Sequence, residues 1–209
     1  MSGLAGLIDP VTLLAFLPAA LALNLTPGAD MMFCAAQGLN DGPRAGWLAS
    51  AGVALGGMVH GLAAGLGLAA LIAANPVLFE VIRWVGVAYL LRLAWVTWRQ
   101  AARLDPGRAP RSARPFRDGM LVNLSNPKVI LFVLAFVPQF ADPSRPVLPQ
   151  FLVFAAILSL GGLVINGLAG ALAGAAMGRV GGRLARLPGR ISALVFTGLA
   201  LKLILQERA

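Results

Sequence analysis

Charged side chains are scarce in this sequence: they make up 12% of its 209 residues, about half the share usual in soluble domains. Cys34 is the only cysteine, which excludes an internal disulfide framework and a cysteine-based metal site. Apolar residues fill 58% of the positions. Basic residues outnumber acidic ones by 17 to 8, but most stand in gaps between apolar runs, which is typical of membrane-protein loops. The composition predicts an integral membrane protein in contact with lipid, with no nucleic-acid partner, no metal and no cofactor.

Six apolar runs are separated by short gaps, at residues 11–36, 46–74, 76–98, 120–141, 149–178 and 191–205. About 20 residues of helix cross a bilayer, and lipid offers the backbone N–H and C=O groups no partner, so each run is predicted to be helical. The predicted fold class is an all-α integral membrane protein with about six transmembrane helices in one transmembrane domain, 1–209. The last run is the shortest, and five spans with an interfacial final helix are the alternative.

The basic residues are distributed unevenly between the two sets of alternate loops. Only Arg145 and Arg208 fall in gaps on one side. The positive-inside rule places the richer side in the cytoplasm, so both termini are predicted to lie outside it, with a basic cytoplasmic loop at 99–117. The richer side holds eleven arginines: Arg44, Arg99, Arg103, Arg108, Arg111, Arg114, Arg117, Arg179, Arg183, Arg186 and Arg190.

Two short segments half the chain apart resemble each other. Asn24-Leu25-Thr26-Pro27 lies in the first run, and Asn123-Leu124-Ser125-Asn126-Pro127 lies in the fourth. Each half of the chain holds three runs, so a duplicated half would have the opposite orientation in the membrane, as in many transporters. The pattern predicts inverted repeats at about 10–98 and 118–206, with chance similarity as the alternative.

Both segments end in a capping residue followed by proline, Thr26-Pro27 and Asn126-Pro127. Proline is favoured at the first position of a helix, directly after an N-cap residue. The pattern predicts that the first and fourth spans break and that a helix restarts inside the membrane at each proline. The free N–H groups and positive dipole end of such a helix suit a carboxylate. A simple proline kink is the alternative.

Two ionisable residues, Asp30 and Lys128, follow these breaks closely. Charges at membrane depth are costly unless they face protein or water, so both are predicted to face inward. An anion is favoured in the first turn of a helix and a cation is disfavoured, so Lys128 needs an anionic partner. That partner is either Asp30, in a permanent pair, or the carboxylate of a substrate.

His60 is the only histidine and lies within the second apolar run. It is either a proton relay or a neutral imidazole hydrogen-bonded between helices. Small-residue faces predict close helix packing, within the chain or in a homo-oligomer. Arg92, inside the third run, either extends to the membrane surface or lines a cavity. The glycines of the small-residue faces are Gly52, Gly56, Gly57, Gly61 and Gly65 in the second run, and Gly170, Gly174 and Gly178 in the fifth.

Several motifs together resemble those of the LysE/RhtB-type amino-acid exporters. Residues 126–132 (NPKVILF) and 135–140 (AFVPQF) are similar to that family's NPK…F…PQF signature, and 86–90 (GVAYL) to its GxxYL stretch. Residues 25–30 (LTPGAD) resemble its PGP-(D/N) motif, with Ala29 in place of the second proline. Arg92 stands where the family usually has an uncharged residue. The resemblance implies export of amino acids or close derivatives by proton antiport across a bacterial inner membrane.

From the residues alone we predict a midplane site for a zwitterion. The helix starts and Lys128 would bind the carboxylate, and Asp30 and free carbonyls would bind the ammonium. Asp30 is the one acidic group predicted near this site, which favours neutral over dibasic amino acids as substrates. Proton-coupling candidates are Asp30 and His60. An intramembrane protease or a small channel is the alternative, although the chain has no GxSxG motif and no second membrane aspartate. The predicted substrate-binding residues are Asn24, Thr26, Pro27, Gly28, Asp30, Asn123, Asn126, Pro127 and Lys128.

Overall fold

A computed structural model describes residues 6–74 and 112–175, with the single positions 81, 84, 87, 88, 91, 92, 95, 197 and 201. These residues are helical apart from short turns, and no strand occurs among them. The all-α fold class is therefore confirmed. The helices are α1 (Pro10–Leu25), α2 (Ala29–Asp41), α3 (Pro43–Ala74), α4 (Pro115–Leu124), α5 (Pro127–Ala135) and α6 (Val147–Ala175), and a 3-10 turn, Val137–Phe140, follows α5.

Helices α3 and α6 are long and apolar enough to cross a bilayer unbroken, over Pro43–Gly67 and Val147–Ala173. They pack against each other, with Gly61 of α3 directly facing the Cβ of Ala155 on α6. Their outer faces are suited to contact with lipid, because large exposed apolar side chains recur there at helical spacing. These exposed side chains are Leu55, Val59, Leu62 and Leu66 on α3, and Leu160, Val164, Leu168 and Leu172 on α6.

The other described spans are broken where the sequence predicted. The axes of α1 and α2 differ by 51°, and those of α4 and the segment beginning with α5 differ by 53°. Proline explains both breaks, because it has no N–H to donate to the carbonyl four residues earlier. Pro27 leaves the carbonyl of Leu23 without its helical donor, and Pro127 does the same to Asn123.

The two breaks differ in how their helices are capped. Asn126 is the N-cap of α5, as predicted: its side chain accepts a hydrogen bond from the N–H of Lys128 at 3.0 Å. The same prediction for Thr26 was wrong, because Thr26 closes α1 instead of opening α2. Its hydroxyl donates to the carbonyl of Ala22 at 2.6 Å, and α2 begins three residues later at Ala29, with Gly28 as its N-cap.

Contacts between the turns define the two ends of the bundle. The N–H of Ser112 donates to the side chain of Gln37 at 3.0 Å, so the segment before α4 lies beside the C-terminal part of α2. At the opposite end, Ile8 packs in one cluster with Phe140. The loops after the first and third apolar runs thus share an end. Bent pairs included, up to four spans lie in the described part of the chain; most of 76–98 and 191–205 lies outside it, so six spans and the inverted repeat remain predictions.

Phenylalanines fix the second broken span to its neighbours. Phe132, Phe136 and Phe140 follow one another at four-residue spacing and are buried. Phe16 of α1 and Phe154 of α6 complete the cluster, with ring centroids 4.7 to 6.2 Å apart. Edge-on and tilted pairs at such distances stabilise beyond simple area burial. The aromatic residues of the 126–140 motif thus pack the second broken span against α1 and α6.

The predicted close packing at glycines is confirmed within the chain. Gly38 and Gly46 both meet the backbone of Gly170, and a Cβ added at Gly46 would lie 2.8 Å from the Gly170 Cα. The described glycines of these faces therefore contact other helices of the same chain, and the homo-oligomer stays a prediction. Only the helical backbone of Gly174 is described, and Gly178 lies outside the described residues. The side chain of Arg92 is exposed, and it is not among the described side chains that line the cavity between the two breaks.

Candidate functional site

A cavity of about 40 Å³ lies between the two breaks and the middle parts of α3 and α6. Its volume is enough for a few water molecules. Polar side chains from five helices, α1, α2, α4, α5 and α6, surround it, and apolar side chains form the rest of the wall. The polar group is Asn24, Asp30, Asn123, Lys128, Ser159 and Asn166; the apolar group includes Leu23, Val53, Ala54, Val129, Val133 and Leu158.

The ammonium of Lys128 reaches across from the second break to the first. Its Nζ donates to the carbonyl oxygens of Leu23 and Thr26, both at 2.9 Å. The Leu23 carbonyl is the one that Pro27 deprives of a helical donor, and it lies at the C-terminal end of α1, where a cation is favoured. The backbone of Lys128 thus lies at the N-terminal end of α5, which disfavours a cation, whereas its ammonium lies at the C-terminal end of α1, which favours one.

Gly28 makes room for this crossing. A Cβ added at Gly28 would lie 3.3 Å from Nζ and 3.5 Å from Cε of Lys128. The contact with Nζ is tighter than an ordinary van der Waals contact and the contact with Cε is an ordinary one, so the ammonium would have to shift by a few tenths of an ångström. The glycine after Pro27 is therefore explained by the lysine rather than by a need for an unusual backbone angle.

Asp30 binds a partner on the opposite broken span. Its Oδ2 accepts a hydrogen bond from Nδ2 of Asn123 at 2.9 Å, and both side chains are buried. Asp30 also occupies the first turn of α2, where its charge is favoured, as predicted. A Cβ added at Gly56 of α3 would lie 2.7 Å from Oδ1 of Asn123, so α3 supports the amide from behind.

His60 contacts the same asparagine through the backbone. Its Nε2 lies 3.1 Å from the carbonyl oxygen of Asn123, which also accepts from the N–H of Asn126 at 2.9 Å. A carbonyl oxygen only accepts, so Nε2 carries the hydrogen. Pro127 cannot donate to this carbonyl, and His60 supplies a donor in its place.

Asp30 and Lys128, both among the described residues, do not form an ion pair. The carboxylate bonds to Asn123 and the ammonium bonds to two carbonyls, so the permanent pair considered from the sequence is absent between them. The carbonyls expected to bind a substrate ammonium are occupied by Lys128 instead. The first-turn N–H groups of Lys128 and Val129 are also occupied, by the side chain and the carbonyl of Asn126.

Three oxygen atoms at the cavity have no hydrogen-bond partner among the described residues: Oδ1 of Asp30, Oδ1 of Asn123 and Oγ of Ser159. All three side chains are more than nine-tenths buried. Two are pure acceptors, so the cavity wall offers more acceptors than donors on this side. Lys128, on the other side, has a third N–H beyond the two that its carbonyl partners use. The arrangement suits a ligand with a cationic donor at one end and an anionic acceptor at the other.

Sequence reasoning included most of the polar wall but missed Ser159. A signal existed, since Ser159, Gly162 and Asn166 follow one another at helical spacing and share the face of α6 that meets the cavity. Asn24 was predicted, and its Nδ2 donates to the carbonyl of Leu158 at 3.1 Å. Asn126 caps α5 but does not line the cavity, and its Nδ2 has no partner among the described atoms.

The sequence is similar to several bacterial efflux proteins. The homoserine/homoserine lactone efflux protein of Salmonella typhimurium is 34% identical over 142 residues, which cover 66% of this chain and 69% of that protein. The leucine efflux protein of Enterobacter sp. is 35% identical over 141 residues, 65% and 67% of the two chains. An uncharacterized membrane protein of Vibrio cholerae is 38% identical over 143 residues, 67% and 70%.

No solved structure matches this chain. The match to a family is nevertheless broad, because residues 21–207 fit the LysE type translocators and so include both breaks, the cavity and the described helices between them. The resemblance inferred from the motifs at 25–30 and 126–140 is thereby confirmed. The chain belongs to the family of LysE type translocators.

Proposed function

We propose that this protein exports neutral amino acids or close derivatives from the bacterial cytoplasm, in exchange for protons. The observation that carries the proposal is the pair of opposite charges at one cavity, Asp30 and Lys128, each with unused hydrogen-bonding capacity there. The names of the efflux relatives support the same direction and class of substrate.

The two ends of a zwitterion fit two different walls. The substrate ammonium donates to Oδ1 of Asp30 and Oδ1 of Asn123, both buried acceptors without a partner. The substrate carboxylate accepts the third N–H of Lys128, with the dipole of α5 behind it. Among the described residues only one carboxylate lines the cavity, so a second ammonium would lack a counter-charge there, and neutral amino acids are the substrates that match.

The apolar wall receives the substrate side chain. Val53 and Ala54 of α3 face the cavity together with Leu158 of α6. These side chains have no hydrogen-bonding groups, so they suit an aliphatic side chain and leave a charged one unsolvated. A substrate larger than the few waters that fit requires the two broken spans to move apart, as alternating access demands.

Asp30 carries the coupled proton in this scheme. A carboxylate binds either a substrate ammonium or a proton at Oδ1, so one excludes the other and exchange follows. His60 is less suited to the relay, because its Nε2–H is directed at a carbonyl oxygen that cannot pass a proton on. We assign His60 to holding the second break and Asp30 to coupling.

Transport by purified protein in liposomes tests the proposal. Vesicles loaded with homoserine, leucine or threonine should show counterflow of the labelled amino acid. A proton gradient with the acidic side inside the vesicle should drive net uptake of the amino acid against its own gradient. Glutamate and lysine are the charged comparisons and should be transported poorly. The matched control is Asp30→Asn, which keeps an acceptor for Asn123. Absence of counterflow across the whole panel would refute the exporter assignment.

The orientation in the inner membrane is part of the proposal. The segment before α4 is predicted to face the cytoplasm and the loop after Phe140 to face outward. Cys34 is buried, so single cysteines introduced at Ala113 and Pro143 provide clean labels. In intact cells, an impermeant thiol reagent should label Pro143→Cys but not Ala113→Cys. The reverse pattern would contradict the predicted topology.

A further inference from the structure

We propose that the carbonyl oxygens of Leu23 and Thr26 form a cation site for a primary ammonium, and that Lys128 fills it as a cation built into the chain. The starting point is the chemistry of the first break. Pro27 removes the donor of the Leu23 carbonyl, and the extended backbone of Thr26, with ψ at 116°, takes its carbonyl out of the helix. Both residues are at most 4% exposed, so bulk water does not reach the two oxygens easily.

A cation is the partner that these oxygens favour. They lie at the C-terminal end of α1, where the dipole is negative, and two carbonyls converge on one point. In transporters with discontinuous helices, unwound carbonyls and half-helix C-termini coordinate the coupling cation. In this protein the Nζ of Lys128 stands at that point, 2.9 Å from each oxygen.

The position of Lys128 supports the assignment independently. The residue lies in the first turn of α5, where its charge is disfavoured, and Gly28 leaves space for its chain to cross. If the only role of Lys128 were to bind the substrate carboxylate, its ammonium would not need to bind the carbonyls of the first broken span. The assignment implies that the wild-type protein needs no dissolved alkali cation, so replacing Na⁺ and K⁺ with N-methylglucamine leaves transport unchanged.

Chemical replacement of the ammonium tests the site through stability rather than transport. Lys128→Ala removes three carbons and Nζ, which together correspond to n-propylammonium. The purified variant should unfold at a lower temperature than wild type. As n-propylammonium saturates the site, the unfolding temperature should rise and recover roughly half of that difference. Tetramethylammonium, which has charge but no N–H, should give no recovery. Lys128→Met lacks the charge but fills the space, so it should not respond to either ion.

A double-mutant cycle tests the same site without an added ligand. Pro27→Ala restores an N–H that can donate to the Leu23 carbonyl. The loss of stability caused by Lys128→Met should therefore be smaller in the Pro27→Ala background than in wild type. An equal loss in both backgrounds, or failure of Lys128→Met to fold in either, would overturn the proposal. Stabilisation of Lys128→Met by n-propylammonium to the same extent as Lys128→Ala would also overturn it. These results do not depend on which substrate the protein exports, so the exporter assignment can fail separately.

Discussion

The imidazole Nε2 of His60 donates to the carbonyl of Asn123, the carbonyl that Pro127 leaves without its helical N–H. Lys128 has the same relationship to Leu23 at the other proline. Each break in this protein is thus completed by a basic side chain from a different helix. The two prolines and their replacement donors are the structural counterpart of the sequence similarity between the two segments.

Replacing His60 separates a structural role from proton transfer. His60→Leu removes the imidazole donor while Asn123 keeps its bond from Asn126, so we expect a loss of about 1 kcal/mol in the free energy of unfolding. His60→Gln retains an N–H donor and should transport with an unchanged pH profile between about pH 5 and 8. Transport that loses its pH dependence in His60→Gln would place His60 on the proton path instead.

A double replacement distinguishes charge balance from substrate binding at the cavity. Asp30→Asn together with Lys128→Met removes one charge of each sign and leaves the net charge unchanged, so the variant should insert and fold. We expect it to remain inactive, because each lost charge contributes about 1.5 to 3 kcal/mol of hydrogen bonding to the substrate, or roughly 10- to 150-fold in affinity. Counterflow is measured at equal amounts of inserted protein. Near wild-type activity would remove both residues from the site.

Gly56→Ala should displace the amide that holds Asp30. The added Cβ would meet Oδ1, Cβ and Cγ of Asn123 at 2.7 to 3.1 Å, and this side chain is buried, so it cannot move aside freely. We expect a loss of about 1 to 3 kcal/mol in stability and a larger fractional loss of transport.

The matched control for that substitution is Gly67→Ala on the same helix. A Cβ at Gly67 meets nothing within 4 Å, and alanine has the higher helix propensity. Stability and transport should be equal to wild type or slightly better. Equal effects of the two alanines would show that α3 does not support Asn123.

The loop between the 3-10 turn and α6, which contains Asp142, predicts a dependence of stability on acid pH. The Ser144 hydroxyl, at 2.6 Å, and then the Ser144 N–H, at 2.9 Å, hold the pKa of Asp142 below its ordinary value of 3.8, with a further contribution from Arg145. A lowered pKa in the folded state stabilises the fold above the ordinary pKa, and that contribution disappears as pH falls through the lowered one. The advantage of wild type over Asp142→Asn in unfolding temperature should therefore shrink between about pH 5 and pH 3. A constant difference would rule out this linkage.

The positions of the breaks were predictable because proline acts locally. Asn126-Pro127 determines both the cap and the start of α5 from adjacent residues, and Asp30 follows at a distance that places it in a first turn. Thr26 precedes a proline in the same way, but Gly28 intervenes before α2, and the Thr26 hydroxyl bonds back to Ala22. Residue type alone does not distinguish these two uses of a capping side chain.

The partners of Lys128 could not be predicted for a different reason. Its chain is long and flexible, so the location of its charge depends on which acceptors the tertiary structure brings within reach. Pro27 marks the Leu23 carbonyl as free, but nothing in the sequence pairs it or the Thr26 carbonyl with Lys128, which lies 105 and 102 residues away. Ser159 was missed because a serine in an apolar helix is ordinary until the opposing wall is known.

The distance between Leu23 and Lys128 along the chain also matters while the protein is being made. At about 5 to 20 residues per second, Lys128 leaves the ribosome roughly 5 to 20 seconds after the carbonyl that it binds. During that interval the first break has no ammonium of its own, whereas His60 is synthesised before Asn123 and is already present when the second break emerges. The first broken span therefore reaches its final form only after the second has been inserted beside it.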